Sequence, residues 1–191
     1  MLEIAYIDTS KIDIEDKKLF NFLSSYKAEK IKKLHSDEKK RESAGAELLL
    51  SSLLGMLFPD MSLPPKIGVD TNGKPFLSDY PQIYFNLSHS DQIAACVISD
   101  CPVGIDIEHI ATPNFEIAKR FFTENEQNFI TTASDKTKAF YDIWTRKEAL
   151  LKCTGRGLGA VSSTDVLDAS GYKFRYTNLD DFMICVCIKN V

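Results

Sequence analysis

Two carboxylates stand two residues apart in the stretch VGIDIEHI, residues 103–110. The alternation of apolar residues predicts a β-strand, and side chains two apart point to one face. Val103, Ile105 and Ile107 then share one face, and Asp106 and Glu108 share the other. Like charges side by side repel. A solvated strand face tolerates them, whereas a hard divalent cation turns the repulsion into attraction. Mg²⁺ is typically held by one or two carboxylates together with waters and phosphate oxygens. The second reading calls for a further ligand and for a phosphate.

Candidates for both lie in WTRKEALLKCTGRG, residues 144–157. On a helix, Trp144, Glu148 and Lys152 are four apart and share a face. They read as a Glu148–Lys152 ion pair beside a core tryptophan, worth about 0.3–0.5 kcal/mol. Equally, Glu148 reads as a metal ligand and Lys152 as a contact to a phosphate oxygen. Trp144 would then wedge the helix against the sheet. In FNLSHS, residues 85–90, Ile83, Phe85 and Leu87 alternate inward, so the strand ends at Ser88, His89 and Ser90. Hydroxyls and an imidazole suit phosphate, and they suit a polar turn as well. Thr123 followed three residues later by Glu126 makes a capping box, and Glu126 also has the type of a general base.

Charge adds a second pointer. The 191 residues carry a net charge of −4, which argues against nucleic acid as a partner. Residues 27–41 nevertheless hold Lys27, Lys30, Lys32, Lys33, Lys39, Lys40 and Arg41 against Glu29, Asp37 and Glu38. A local basic patch in an acidic chain points to a small polyanion.

These residues need elements to carry them. A strand at 2–8 precedes helical segments at 15–24 and 26–34. Ser36 caps a helix running to Leu57, a short strand at 66–70 leads into the TNGKP turn (71–75), and strands follow at 82–88, 92–98 and 103–108. Asn114 and Thr123 cap two further helices. Ser134 or Asp135 starts a longer one that stops at Gly155. Three strands close the chain near 164–168, 172–177 and 182–189. The pattern is α+β, with two halves of similar make-up, 1–100 and 101–191. An odd number of cysteines (Cys96, Cys101, Cys153, Cys185 and Cys187) and no CxxC pair argue against a disulfide framework or a zinc site. A reducing cytoplasm is the expected compartment. The start, MLEIAYID, lacks the features of a signal peptide, and no apolar run is long enough to span a membrane.

Taken together, Arg41, GKP (73–75), FNLSHS (85–90), VGIDIE (103–108), FFTENE (121–126) and WTRKEALLK (144–152) resemble the Sfp-type 4′-phosphopantetheinyl transferases. The resemblance spans about residues 27–158. It implies two similar halves in a pseudo-two-fold arrangement, with the active site in the cleft between them. The N-terminal half would contact the coenzyme A 3′-phosphate and adenine, and the C-terminal half would carry the metal site and catalytic helix. It also implies a reaction in which a serine of an apo acyl- or peptidyl-carrier protein attacks the β-phosphate of coenzyme A, and adenosine 3′,5′-bisphosphate leaves. Asp106, Glu108 and Glu148 would hold Mg²⁺, with Mn²⁺ as the alternative. Lys152 and Ser88 would neutralise the pyrophosphate. Lys74 and Pro75 would pass along the adenine, and His89, Arg41, Lys27 and Lys30 would grip the 3′-phosphate. Glu126 would take the serine proton, directly or through a metal-bound water. The protein would act as a cytoplasmic monomer without nucleic acid or membrane. Ile110, Phe115, Ile117 and Phe121 would divide between core and a shallow carrier dock. The main alternative is a non-catalytic relative that binds coenzyme A or a nucleotide.

Overall fold

The computed structural model describes residues 1–190, Leu158 and Asn178 by their backbone alone. The chain divides into two compact units, Met1–Cys101 and Pro102–Val191. In the first, β1 (Leu2–Asp8) leads through a 3₁₀ turn at Lys17–Phe22 to α1 (Ser25–Lys32) and the long α2 (Asp37–Leu57). A small hairpin, β2 (Ile67–Val69) and β3 (Pro75–Leu77), comes next, then β4 (Tyr84–Ser90) and β5 (Ile93–Ser99). In the second unit, β6 (Val103–His109) precedes α3 (Phe115–Phe121), α4 (Glu124–Thr132) and the long α5 (Lys136–Thr154). A 3₁₀ turn at Leu158–Ser163 leads to β7 (Tyr172–Leu179) and β8 (Phe182–Lys189).

Both units have the same connectivity. Each is an antiparallel three-stranded sheet, ordered β1-β5-β4 in the first and β6-β8-β7 in the second. In each the first strand pairs with the last, and a long helix lies between them in sequence. Fold class α+β with two similar halves follows directly. α2 lays Leu50, Leu53 and Leu54 on Ile83, Phe85, Cys96 and Ile98. α5 packs Ile143, Ala149, Leu150 and Cys153 against Met183, Cys185 and Cys187.

Local signals explain the long helices. The Ser36 hydroxyl accepts the Lys39 amide, with Asp37 and Glu38 in the first turn, where they complement the helix dipole. Asp135, not Ser134, caps α5, and Gly155 ends it in the left-handed region at φ +69°. Asn114 and Thr123 cap α3 and α4. No helix among the described residues is long and apolar enough to cross a membrane.

Three expectations change. Residues 15–24 hold only the 3₁₀ turn at Lys17–Phe22. Ser88, His89 and Ser90 lie inside β4, because the hairpin turns at Asp91 and Gln92, both at positive φ (41° and 67°). That is the conformation two-residue hairpins favour, here without the usual glycine. Residues 164–168 form no strand, since side chains take their backbone groups. Thr164 O accepts from Lys147, the Val166 amide donates to Glu126, and the Leu167 amide donates to Asp165.

α5 comes against β6 at Gly104. A Cβ there would stand 2.1 Å from Ala149 O and 2.4 Å from Cys153 N. The α5 backbone therefore rests directly on β6, on the face that Gly104 shares with Asp106 and Glu108. This explains why β6 is buried from Val103 through Ile107, carboxylate included, rather than alternating. Gly104→Ala should push α5 off the strand and lower the unfolding free energy by about 1–3 kcal/mol. Denaturant unfolding checks this, and unchanged stability would show that the helix gives way freely.

Candidate active site

With α5 resting on Gly104, its Trp144–Glu148–Lys152 stripe meets the acidic face of β6. Lys152 Nζ donates to Asp106 Oδ1 at 2.6 Å, and Trp144 Nε1 donates to Glu108 Oε1 at 2.9 Å. Trp144 also stacks on Phe122, ring centroids 6.1 Å apart. The wedge predicted for this residue thus has a polar tip that holds a carboxylate. Lys152 reaches across to the strand, which makes the helix–strand ion pair part of the acidic cluster.

Two carboxyls of the cluster hold their protons more tightly than free ones. Burial pushes the Glu108 carboxyl up to about 7, Asp106 and Glu148 push the same way, and the Trp144 hydrogen bond and Lys152 offset them only in part. Glu148 is raised too, first by burial and then by Asp106, with Lys152 opposing. Among the described residues, Glu148 Oε1 is buried with no hydrogen-bond partner. An orphaned buried carboxylate oxygen beside two more carboxylates fits a hard cation. The same side chains are not poised around one: no group of three or more His, Cys, Asp or Glu among the described residues could hold a metal as it stands. A cation would have to draw Asp106, Glu108 and Glu148 together.

Glu126 is placed differently from a catalytic base. It is fully buried and forms both halves of the capping box with Thr123. Lys147 Nζ, also fully buried, donates to its Oε1 and Oε2 at 2.9 and 2.6 Å. The Val166 amide adds a further bond to Oε1 at 2.8 Å. Every face of the carboxylate is in use, so the base assignment is replaced by a structural one. Lys147 escaped notice in the sequence, yet it lies four residues from both Ile143 and Leu151 on the core-facing side of α5. A cation on a core stripe demands a buried acid.

The basic segment is largely self-compensated. Lys32 pairs with Glu29, Lys40 with Asp37, and Lys39 with Glu42. Lys27 is only 8% exposed, with Nζ 3.5 Å from Ser43 Oγ on α2. Burial lowers its pKa to about 8 against the pull of Glu47. Its ammonium is thus an interior group, not the surface contact expected. Lys30 is exposed. Arg41 Nε is buried and has no hydrogen-bond partner among the described residues, so it is a donor suited to an anion. Ser88 is buried in β4, and His89, beside it, has a side chain 37% exposed. Lys74 and Pro75 lie at the β2–β3 turn, where Asp70 accepts the Lys74 amide and Gly73 sits at φ +87°.

Residues 102–188 match the family described as the 4′-phosphopantetheinyl transferase superfamily. The 4′-phosphopantetheinyl transferase Sfp of Bacillus subtilis is 31% identical over 156 residues, 80% of this chain and 69% of that protein. The 4′-phosphopantetheinyl transferase gsp of Aneurinibacillus migulanus is 33% identical over 167 residues, covering 83% and 68%. HetI, a 4′-phosphopantetheinyl transferase of a Nostoc species, is 32% identical over 152 residues, covering 75% and 64%.

Two outcomes follow from the charges. Removing the Glu126 carboxylate by Glu126→Ala strands a buried ammonium, so stability should drop by about 3–5 kcal/mol in denaturant unfolding. A drop below 1 kcal/mol would mean that the pair is not closed in solution. For Glu108, the folded pKa lies above the unfolded one, so the fold binds more protons between pH 4.5 and about 7. Metal-free stability should therefore fall as pH rises through that window. The slope should flatten in Glu108→Gln, as read from thermal midpoints across pH.

Proposed function

Since the chain belongs to the 4′-phosphopantetheinyl transferase superfamily, we propose that it transfers the 4′-phosphopantetheine arm of coenzyme A to a serine of an apo acyl- or peptidyl-carrier protein. The serine Oγ forms a bond to the β-phosphorus, and the bond from that phosphorus to the bridging oxygen breaks. The hydroxyl proton passes to water, and adenosine 3′,5′-bisphosphate leaves. The observation that carries this reading is the meeting of Asp106 and Glu108 with Glu148 and Lys152, where burial and neighbouring acids raise the Glu108 and Glu148 carboxyls. Phosphoryl transfer depends on positioning and charge neutralisation more than on covalent catalysis by the protein.

Asp106, Glu108 and Glu148 would hold Mg²⁺, or Mn²⁺ in its place. The ion, when bound, supplies charge neutralisation at the pyrophosphate. Trp144 fixes one Glu108 oxygen, so that carboxylate is oriented before any ligand arrives. Lys152, released from Asp106, would turn to a phosphate oxygen, with Ser88 as a further contact. Arg41, Lys30 and His89 would grip the 3′-phosphate, Lys27 adding charge from the α1–α2 interface. Lys74 and Pro75 would lie along the adenine. For the carrier, Phe115 is 40% exposed while Ile110, Ile117 and Phe121 pack partly against the core. Phe115, with Lys119 and Arg120 in the last turn of α3, would meet an acidic, apolar-tipped carrier helix. We further propose a cytoplasmic monomer with no nucleic-acid or membrane partner; the net charge of −4 speaks against nucleic acid.

Incubating the protein with coenzyme A, Mg²⁺ and a panel of apo carriers, then weighing the carriers, tests the reading. At least one carrier should gain a phosphopantetheine arm, only with a divalent cation present. Asp106→Ala should abolish the gain while leaving a cooperative unfolding transition. Coenzyme A binding without transfer to any carrier would favour the non-catalytic relative instead.

A further inference from the structure

In the first unit, one buried acid sits where the basic segment meets the β4–β5 hairpin. Glu42 is fully buried on α2, on the stripe that carries Ala46, Leu50 and Leu53 into the core. Its Oε2 accepts from His89 Nδ1 at 2.9 Å and from Lys39 Nζ at 2.8 Å. Its Oε1 accepts the Gln92 amide at 3.0 Å. A carboxylate taken out of water needs such donors. The burial that pushes its proton affinity up is more than offset by the Lys39 and Gln92 hydrogen bonds and the charge of His89, leaving the group below the ordinary carboxylate range.

Each of the three bonds does something different. The Gln92 bond pins a turn whose two residues both hold a left-handed backbone without glycine, a conformation that side-chain-bearing residues adopt only when the surroundings enforce it. The Lys39 bond supplies compensating charge. The His89 bond ties Nδ1 to α2, on a side chain that is 37% exposed. In a doubly protonated ring both nitrogens donate, so Nε2–H can serve an anion while Nδ1–H stays on Glu42.

We infer that Glu42 is a positioning residue for coenzyme A recognition: it holds His89 and the Asp91–Gln92 turn so that His89 Nε2–H is presented to the 3′-phosphate. This rests on the assignment of His89 to that phosphate. The role differs from core filling, because an apolar side chain of similar volume would complete the stripe and remove the Nδ1 bond that orients the imidazole.

The experiment compares coenzyme A with 3′-dephospho-coenzyme A. For the unaltered protein, ¹⁵N spectra of the imidazoles should show His89 protonated at Nδ1. Adding adenosine 3′,5′-bisphosphate should shift Nε2 and leave Nδ1 nearly unmoved. Glu42→Gln keeps the shape and a hydrogen-bonding group but removes the charge. It should reduce the preference for coenzyme A over the dephospho form, read as the ratio of KM values, by about tenfold. Glu42→Asp should recover part of it. In a His89→Ala background, Glu42→Gln should change the ratio little further. An unchanged ratio in a folded Glu42→Gln, or His89 in the Nε2–H tautomer with Nδ1 unprotonated in the unaltered protein, overturns the inference. The spectra need no variant, so they decide even where Glu42→Gln fails to fold. If the unaltered protein itself shows no preference between the two coenzymes, the assignment of His89 to the 3′-phosphate fails first, and the spectra then report on Glu42 separately.

Discussion

The second unit depends on how near a helix backbone can come to a strand. Gly104 lets α5 touch β6 through main-chain atoms, at a distance where any Cβ would overlap Ala149 O. Everything chemical in that unit follows from this approach. The two carboxylates next along the strand face the helix instead of solvent, and Glu148 and Lys152, one turn apart, reach them. Were the helix held a few ångströms further out, water would fill the gap, and Asp106 and Glu108 would be the solvated pair that a DxE strand usually presents.

Close packing of this kind sets the electrostatics as well. Lys152 donates to Asp106 and Trp144 to Glu108, with Glu148 beside them. Burial raises the cost of each charge, and the neighbours add to it. The same unit contains the contrasting case. The Glu126–Lys147 pair is more deeply buried, both side chains fully so, and is satisfied on every side, and it ties α4, α5 and the segment at 164–166 together. A satisfied network rigidifies, while the buried Glu148 Oε1, without a hydrogen-bond partner among the described residues, is open to a ligand. The two clusters sit on neighbouring residues of one helix, Lys147 turned to the core and Glu148 to the acid face.

Much of this was legible in the sequence because it is written in local rules. Ser36, Asn114 and Thr123 start their helices and Gly155 ends one as capping chemistry requires, and the four-residue spacing of Trp144, Glu148 and Lys152 places them together on one stripe. What escaped is decided by long-range contacts. Glu126 and Thr123 satisfy a capping box on their own, and nothing local says that Lys147 will take both carboxylate oxygens. The strand expected at 164–168 is lost to side-chain partners far away in sequence. Lys27 reads as a surface cation until α2 is laid over it. Glu42 and Lys147 did carry a signal, a charge on an apolar stripe, but its meaning depends on a partner that only the fold supplies.

The shared connectivity of the two units has a consequence during synthesis. In each, the first strand pairs with the last, so β1 has no neighbour until residues 93–99 have left the ribosome, and β6 none until 182–189 have followed. Each opening strand must wait through the making of a long helix. Domains fold as units, N-terminal first, as the chain emerges. The first unit can therefore close its sheet before the second has its closing strand, so the two β-layers are completed in turn and β1 is already occupied when β8 appears.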